Sequence, residues 1–206
     1  MLPEGRLRSA LADVSLITIH GPWFRVVGAH LLRDAPPGAP PGSAPQPLWP
    51  GGALQGARFT PENGFGTLYL ASDPLTALME TQAVFLTTRG ELLPANLQPW
   101  TLLGVDGVLT DVLDVGEPAI QEALGTSLAE LTGDWLISQS AAGRSPTQAL
   151  GQTAFDSGRI VAIRYASARN TAKGFDVAVF AERLAPGGAS YLRVVDPHRH
   201  LDQRLP

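Results

Sequence analysis

The chain is 206 residues long and sets 15 Lys and Arg against 19 Asp and Glu, a formal net charge of −4. Its basic residues are scattered, which excludes the electrostatic footprint of a protein that grips duplex nucleic acid by the backbone. There is no cysteine, which excludes a disulfide framework, a thiolate nucleophile and any zinc site built on sulfur.

This length and a hydrophobic content of 44% fit one sizeable domain with its own core. The opening "MLPEGRLRSALADVSLITIHG" has no long apolar run behind its arginines. It therefore reads as mature cytoplasmic sequence and not as a signal peptide. No segment approaches the roughly eighteen apolar residues that a membrane-spanning helix needs, so no membrane partner is expected.

Two β-rich runs, residues 14–20 and 23–28, are separated by the turn signal Gly21-Pro22. After them comes "DAPPGAPPGSAPQPLWPGG", residues 34–52. Proline removes backbone donors and glycine adds chain entropy, so this stretch is an irregular loop. Too little sequence precedes it for a separate core, which makes it a loop within one domain. "TLYLAS", 67–72, alternates as a strand. Asp73 and Pro74 then read as the N-cap and first position of a short helix carrying Glu80, with Leu75, Leu78, Met79 and Gln82 on neighbouring positions.

"WTLLGVDGVLTDVLDV" supplies two strand candidates around Gly104 and Gly107. "EPAIQEALG" and "SLAELTGDWLISQSAAG" read as helical. "SPTQALGQTAFDSG" is a helix with punctuation at both ends: Ser145 caps, Pro146 starts, Gln148 completes a capping box and Gly158 stops it. "RIVAIRYAS", "DVAVFAERL" and "SYLRVVDP" are three strands. This order lacks the regular alternation of a doubly wound sheet and contains no internal repeat. It predicts a single α+β domain over residues 1–206, its core about 14–196, with a largely antiparallel, split sheet and flanking helices.

Within "GARFTPENGFGTLYLASDPLTALMETQ", Arg58, Tyr69 and Glu80 stand at equal steps of eleven residues on a turn, a strand and a helix. Arg58 follows Gly51, Gly52 and Gly56, which let backbone approach a ligand whose phosphate a guanidinium would grip. Taken singly, Arg58 reads as a solvated loop cation, Tyr69 as a half-buried strand tyrosine and Glu80 as a solvent-facing helix glutamate. An edge carboxylate at Glu80 would hold sugar hydroxyls or stabilise an oxocarbenium-like centre. Arg25, inside the apolar "WFRVV", wants an anionic partner from the protein or a bound phosphate. Ser167 and Arg169 follow an apolar strand, at a strand end where ligand-facing groups or a plain turn belong.

Other motifs fail. "GGALQG" and "GFG" lack the lysine and serine of a P-loop, and no GxGxxG opens a helix. His198 and His200 have no obvious third partner for a metal, and "GRSPT" lacks the glycine of a nucleophile elbow.

Together these residues resemble the RES domain, named for an arginine, a glutamate and a serine recurring in that order. The likeness rests on "GARFTPENGFGTLYLASDPLTALMET", on "AIRYASARN" and on "WFRVV", and spans residues 23–182. It implies a fold similar to ADP-ribosyltransferases and a role as the toxin of RES–Xre type toxin–antitoxin pairs. The implied activity is destruction of NAD by hydrolysis or phosphorolysis, with transfer of ADP-ribose to a protein in some members. Carried over, the family's arginine falls on Arg58, its tyrosine on Tyr69, its glutamate on Glu80, its serine on Ser167 and an early strand arginine on Arg25. The chain departs from the family pattern in its long proline-rich loop and in Phe59, where tryptophan is more typical.

On that resemblance Arg58 and Arg25 are expected to hold the pyrophosphate of NAD, and Tyr69 to give its nicotinamide ring a platform. Glu80 is expected to stabilise the positive ribose, and Ser167 to hold ribose or phosphate. Neither a metal nor a cofactor beyond NAD as substrate is implied. The implied partners are a helix-turn-helix antitoxin and, if ADP-ribose is transferred, a protein target; monomer and homodimer stay open. A catalytically inactive module that binds a nucleotide or protein is the alternative from another class.

Overall fold

A computed structural model describes residues 1–32, 46–51, 56–95, 98–170, 174–196, 198, 201 and 203–206. Most of the proline-rich stretch, and His200 of the histidine pair, lie outside the described residues. The strands are β1 (Ile17–His20), β2 (Trp23–Gly28), β3 (Thr67–Ala71), β4 (Val84–Leu86), β5 (Leu92–Pro94), β6 (Trp100–Asp114), β7 (Ala162–Ala166), β8 (Phe175–Phe180), β9 (Tyr191–Val195) and β10 (Arg204–Leu205). The helices are α1 (Glu4–Asp13), α2 (Pro74–Glu80), α3 (Pro118–Leu124), α4 (Leu128–Thr132), α5 (Trp135–Ala142) and α6 (Pro146–Asp156). None is long and apolar enough to cross a membrane.

The fold is α+β, built on an eight-stranded sheet in the order β10-β9-β6-β2-β3-β8-β7, with β1 paired to β6 and β4–β5 standing apart as a hairpin. Every pairing in it is antiparallel except β6 with β7. The two segments read around Gly104 and Gly107 are one long strand. β6 pairs in succession with β2, β9, β1 and finally β7, so both halves of the sheet hang on it. Gly107 marks a close approach, not a break. A Cβ on Gly107 would lie 2.2 Å from the Tyr191 carbonyl oxygen. The irregularity in β6 comes at Asp111, whose φ of 56° coincides with a register shift against β1.

Strand alternation sorts the side chains into two layers. Leu68, Leu70, Val177 and Val179 pack with Trp23 and Leu109 on one face. Ala178, Phe180 and Tyr165 face the other way, against Phe59, Phe65 and the helices. α1 is an element the sequence reading passes over. Leu7 and Leu11, one helical turn apart, are fully buried in that second layer. Each such leucine contributes about 1.5–3 kcal/mol on burial.

The capping expected for α2 and α6 is present. Asp73 accepts the Thr76 N–H at 2.9 Å, and Ser145 and Gln148 form a reciprocal box. The inward face of α2 carries Thr76 and Ala77 instead of Leu75 and Met79, with Ala77 packed on Val26 of β2 and Ala71 of β3. The expected helix over 127–143 is broken at Gly133 into α4 and α5.

Candidate active site

The Arg58 turn is pinned from three sides. Ala57 and Thr60 exchange backbone hydrogen bonds of 2.8 and 3.2 Å. Gln148, beyond closing the α6 cap, reaches with Nε2 to the Ala57 and Thr60 carbonyls, both at 3.2 Å. The Phe59 N–H donates to the Tyr69 hydroxyl at 3.1 Å, while the Phe59 ring is fully buried edge-on to Tyr165. Held this way, Arg58 donates through Nη1 to the carbonyls of Leu131 (2.7 Å) and Gly133 (2.9 Å). The break between α4 and α5 supplies those carbonyls, since a continuing helix would consume them. Among the described residues no further hydrogen bond engages the guanidinium.

Three neighbouring strands supply the floor. Tyr69 of β3, Asp176 of β8 and Tyr165 of β7 share the face opposite Leu68 and Leu70. Burial pushes the Tyr69 hydroxyl up to about 12, against the opposing hydrogen bond from Phe59. Asp176 is 3% exposed. Burial first, then the charge of Glu80, pushes its carboxyl up to about 9.

Glu80 closes the site at the end of α2. Its Oε1 accepts from the Ser167 hydroxyl at 2.5 Å and from the Arg169 N–H at 3.2 Å. Ser167 itself is fully buried, and its Oγ accepts the N–H groups of Arg169 (3.2 Å) and Asn170 (3.0 Å). The loop after β7 is thereby tied to α2, and Asn170 adds a side-chain bond to Thr76 at 2.8 Å.

These elements enclose a cavity of about 540 Å³, within the range that binds small molecules and cofactors. Arg58, Tyr69 and Glu80 all line it, together with Phe24, Tyr165, Arg169 and Asp176. Two of the expected ligand-binding residues sit elsewhere. Ser167 lies behind Glu80 and spends its hydroxyl on that carboxylate. Arg25 shares the strand face of Val27, opposite to Phe24, and borders a separate cavity of about 90 Å³ with Gln46, Pro47 and Trp49. It donates to the Trp49 carbonyl at 2.9 Å, and burial lowers its pKa to about 10. The second cation of the main cavity is Arg169. Asp176 had no sequence signal, since an aspartate beside an apolar strand run reads as solvent-facing.

The RES domain model matches residues 23–202. The chain belongs to the RES domain family. Among solved structures, this RES domain is similar to a chain of the crystal structure of the M. tuberculosis MbcT–MbcA toxin–antitoxin complex. The TM-score is 0.64 at 23% identity, covering 93% of this chain and 90% of that one, which shows a shared fold. No curated protein matches it.

Proposed function

We propose that this RES domain consumes NAD by breaking its nicotinamide–ribose bond, and that it is the toxin of a toxin–antitoxin pair. One observation carries the enzymatic reading. A cation, an aromatic ring and a carboxylate from three separate elements, Arg58, Tyr69 and Glu80, line one cavity of dinucleotide scale. Arg58 and Arg169 attract the pyrophosphate, whose oxygens take charge-assisted hydrogen bonds. Tyr69 and Tyr165 supply ring faces for the base. As the glycosidic C–N bond breaks, its electron pair leaves with nicotinamide and positive charge grows on the ribose. Glu80 meets that charge, pre-oriented by its two donors. An oxygen of water, phosphate or a protein side chain then bonds to the anomeric carbon and gives up its proton.

The toxin role is supported by family membership and by the likeness to a toxin–antitoxin structure. The implied partner is an antitoxin, of helix-turn-helix type on the family resemblance. The test is purified protein incubated with NAD, with and without phosphate, followed by product analysis. ADP-ribose signals water as acceptor, ADP-ribose 1-phosphate signals phosphate, and a mass increase on an added protein signals transfer. Saturable binding of NAD with no product overturns the reading in favour of an inactive binding module.

Ser167 offers a separable test of the positioning around Glu80. Ser167→Ala should lower kcat by about tenfold to a hundredfold and leave KM nearly unchanged, because a buried charge-assisted bond is worth about 1.5–3 kcal/mol. Steady-state kinetics on NAD reads the split; a rise in KM alone would return Ser167 to a ligand-holding role.

A further inference from the structure

Asp176 has no part in the chemistry above, yet it lines the same cavity while 3% exposed. Its Oδ2 is buried and meets no donor among the described residues. A buried carboxylate without donors is costly, and such a group relieves the cost by keeping its proton. The charged and titratable groups that act on it are Glu80 at the end of α2, Asp73 at the start of the same helix, Arg58 on its turn, Tyr69 of β3 and Tyr165 of β7. Burial is the largest push on Asp176, followed by the neighbouring Glu80; Asp73 adds to it and Arg58 opposes it. Glu80 is the more exposed of the pair and already accepts hydrogen bonds from Ser167 and Arg169, whereas the buried Asp176 Oδ2 accepts none among the described residues. One proton shared by two carboxyl groups therefore resides on Asp176.

We propose that Asp176 is a positioning residue for Glu80: as a neutral acid it donates a hydrogen bond to the Glu80 carboxylate and completes, with Ser167 and the Arg169 amide, the set of donors that aims that carboxylate at the ligand. The proposal rests on the reading of Glu80 as the group that stabilises the ribose cation. Asp176 makes and breaks no covalent bond, and its proton stays in place through turnover. Its ionisation removes a donor and puts a second anion beside Glu80, so turnover falls on an alkaline limb near pH 9.

The same proton affects stability. The folded carboxyl titrates near 9 and the unfolded one near 3.8. Its contribution is fully present below the unfolded value and is lost progressively as pH rises through the folded one.

The experiment compares wild type, Asp176→Asn and Asp176→Val in kcat, KM and Tm across that pH range. Asparagine keeps a donor and cannot ionise. It should hold kcat within about threefold, abolish the alkaline limb and show a Tm advantage that grows from acid to pH 9. Valine suits a strand and has no donor. It should fold, lose about tenfold to a hundredfold in kcat and change KM little. A limb near pH 9 that persists in the asparagine variant, a Tm advantage that stays flat with pH, or a valine variant as active as wild type overturns the proposal. If no protein, wild type included, turns over NAD, the reading of the reaction falls. The Tm comparison then decides the pair alone: a growing advantage supports it and a flat one overturns it.

Discussion

Glu80→Gln should reduce NAD consumption by roughly two to three orders of magnitude, the loss typical of removing a preorganised group that meets transition-state charge. The substitution is nearly isosteric. Its amide oxygen still accepts from the Ser167 hydroxyl and the Arg169 N–H, so α2 and the loop after β7 stay joined. The fold and KM should therefore change little, and the deficit should fall on kcat. The measurement is NAD consumption by the purified variant, paired with NAD levels in cells expressing it without an antitoxin. A variant that still depletes NAD at the wild-type rate removes Glu80 from the chemistry.

Gly151→Ala should produce the largest structural effect of a methyl group added at any of the described glycines. Gly151 lies buried in α6 directly against the Arg58 turn, and an added Cβ would sit 1.8 Å from the Phe59 carbonyl oxygen. Backbone cannot swing aside as a side chain can, so the helix or the turn must shift. Overpacking of this kind costs about 3 kcal/mol or somewhat more. For a chain of this size that lowers Tm by roughly 6–12 °C. Activity should fall further than stability alone explains, because Phe59 also holds the Tyr69 hydroxyl and Gln148 holds both ends of the turn. Gly5→Ala in α1, where a Cβ meets nothing within 4 Å, is the control and should stabilise by about 0.5–1 kcal/mol. Thermal melts of the two variants give the comparison; an equal, small effect at both positions would refute the close packing of α6 on the turn.

Much of the candidate site was legible because the residues lining its cavity come largely from one short stretch with strong local punctuation. Asp73 and Pro74 place the start of α2, and the alternation around Tyr69 places β3, so Glu80 follows at a set distance. What was not legible is which face of a strand borders the cavity. Arg25 and Phe24 are adjacent on β2, and period-two geometry guarantees that they point to opposite sides. Choosing the correct side needs the pairing of β2 with β3 and β6, which is a tertiary fact. The same reason hid Asp176, whose carboxyl is turned inward by its register against Tyr165. Gly104 and Gly107 were read as punctuation, yet both lie inside β6, and Gly107 lets β9 pair closely against it. Leu7 and Leu11 carried a readable helical spacing at the start of α1, weakened by the polar residues around them.

The bond pair from Arg58 to the Leu131 and Gly133 carbonyls gives this arginine a second occupation, as a bolt across the rim on which Asp134, Trp135 and Leu136 stand. Truncating it takes away a wall together with a charge. Inactivity of Arg58→Ala is thus no measure of how tightly a phosphate is held, and the architecture of the entrance belongs in any account of that variant.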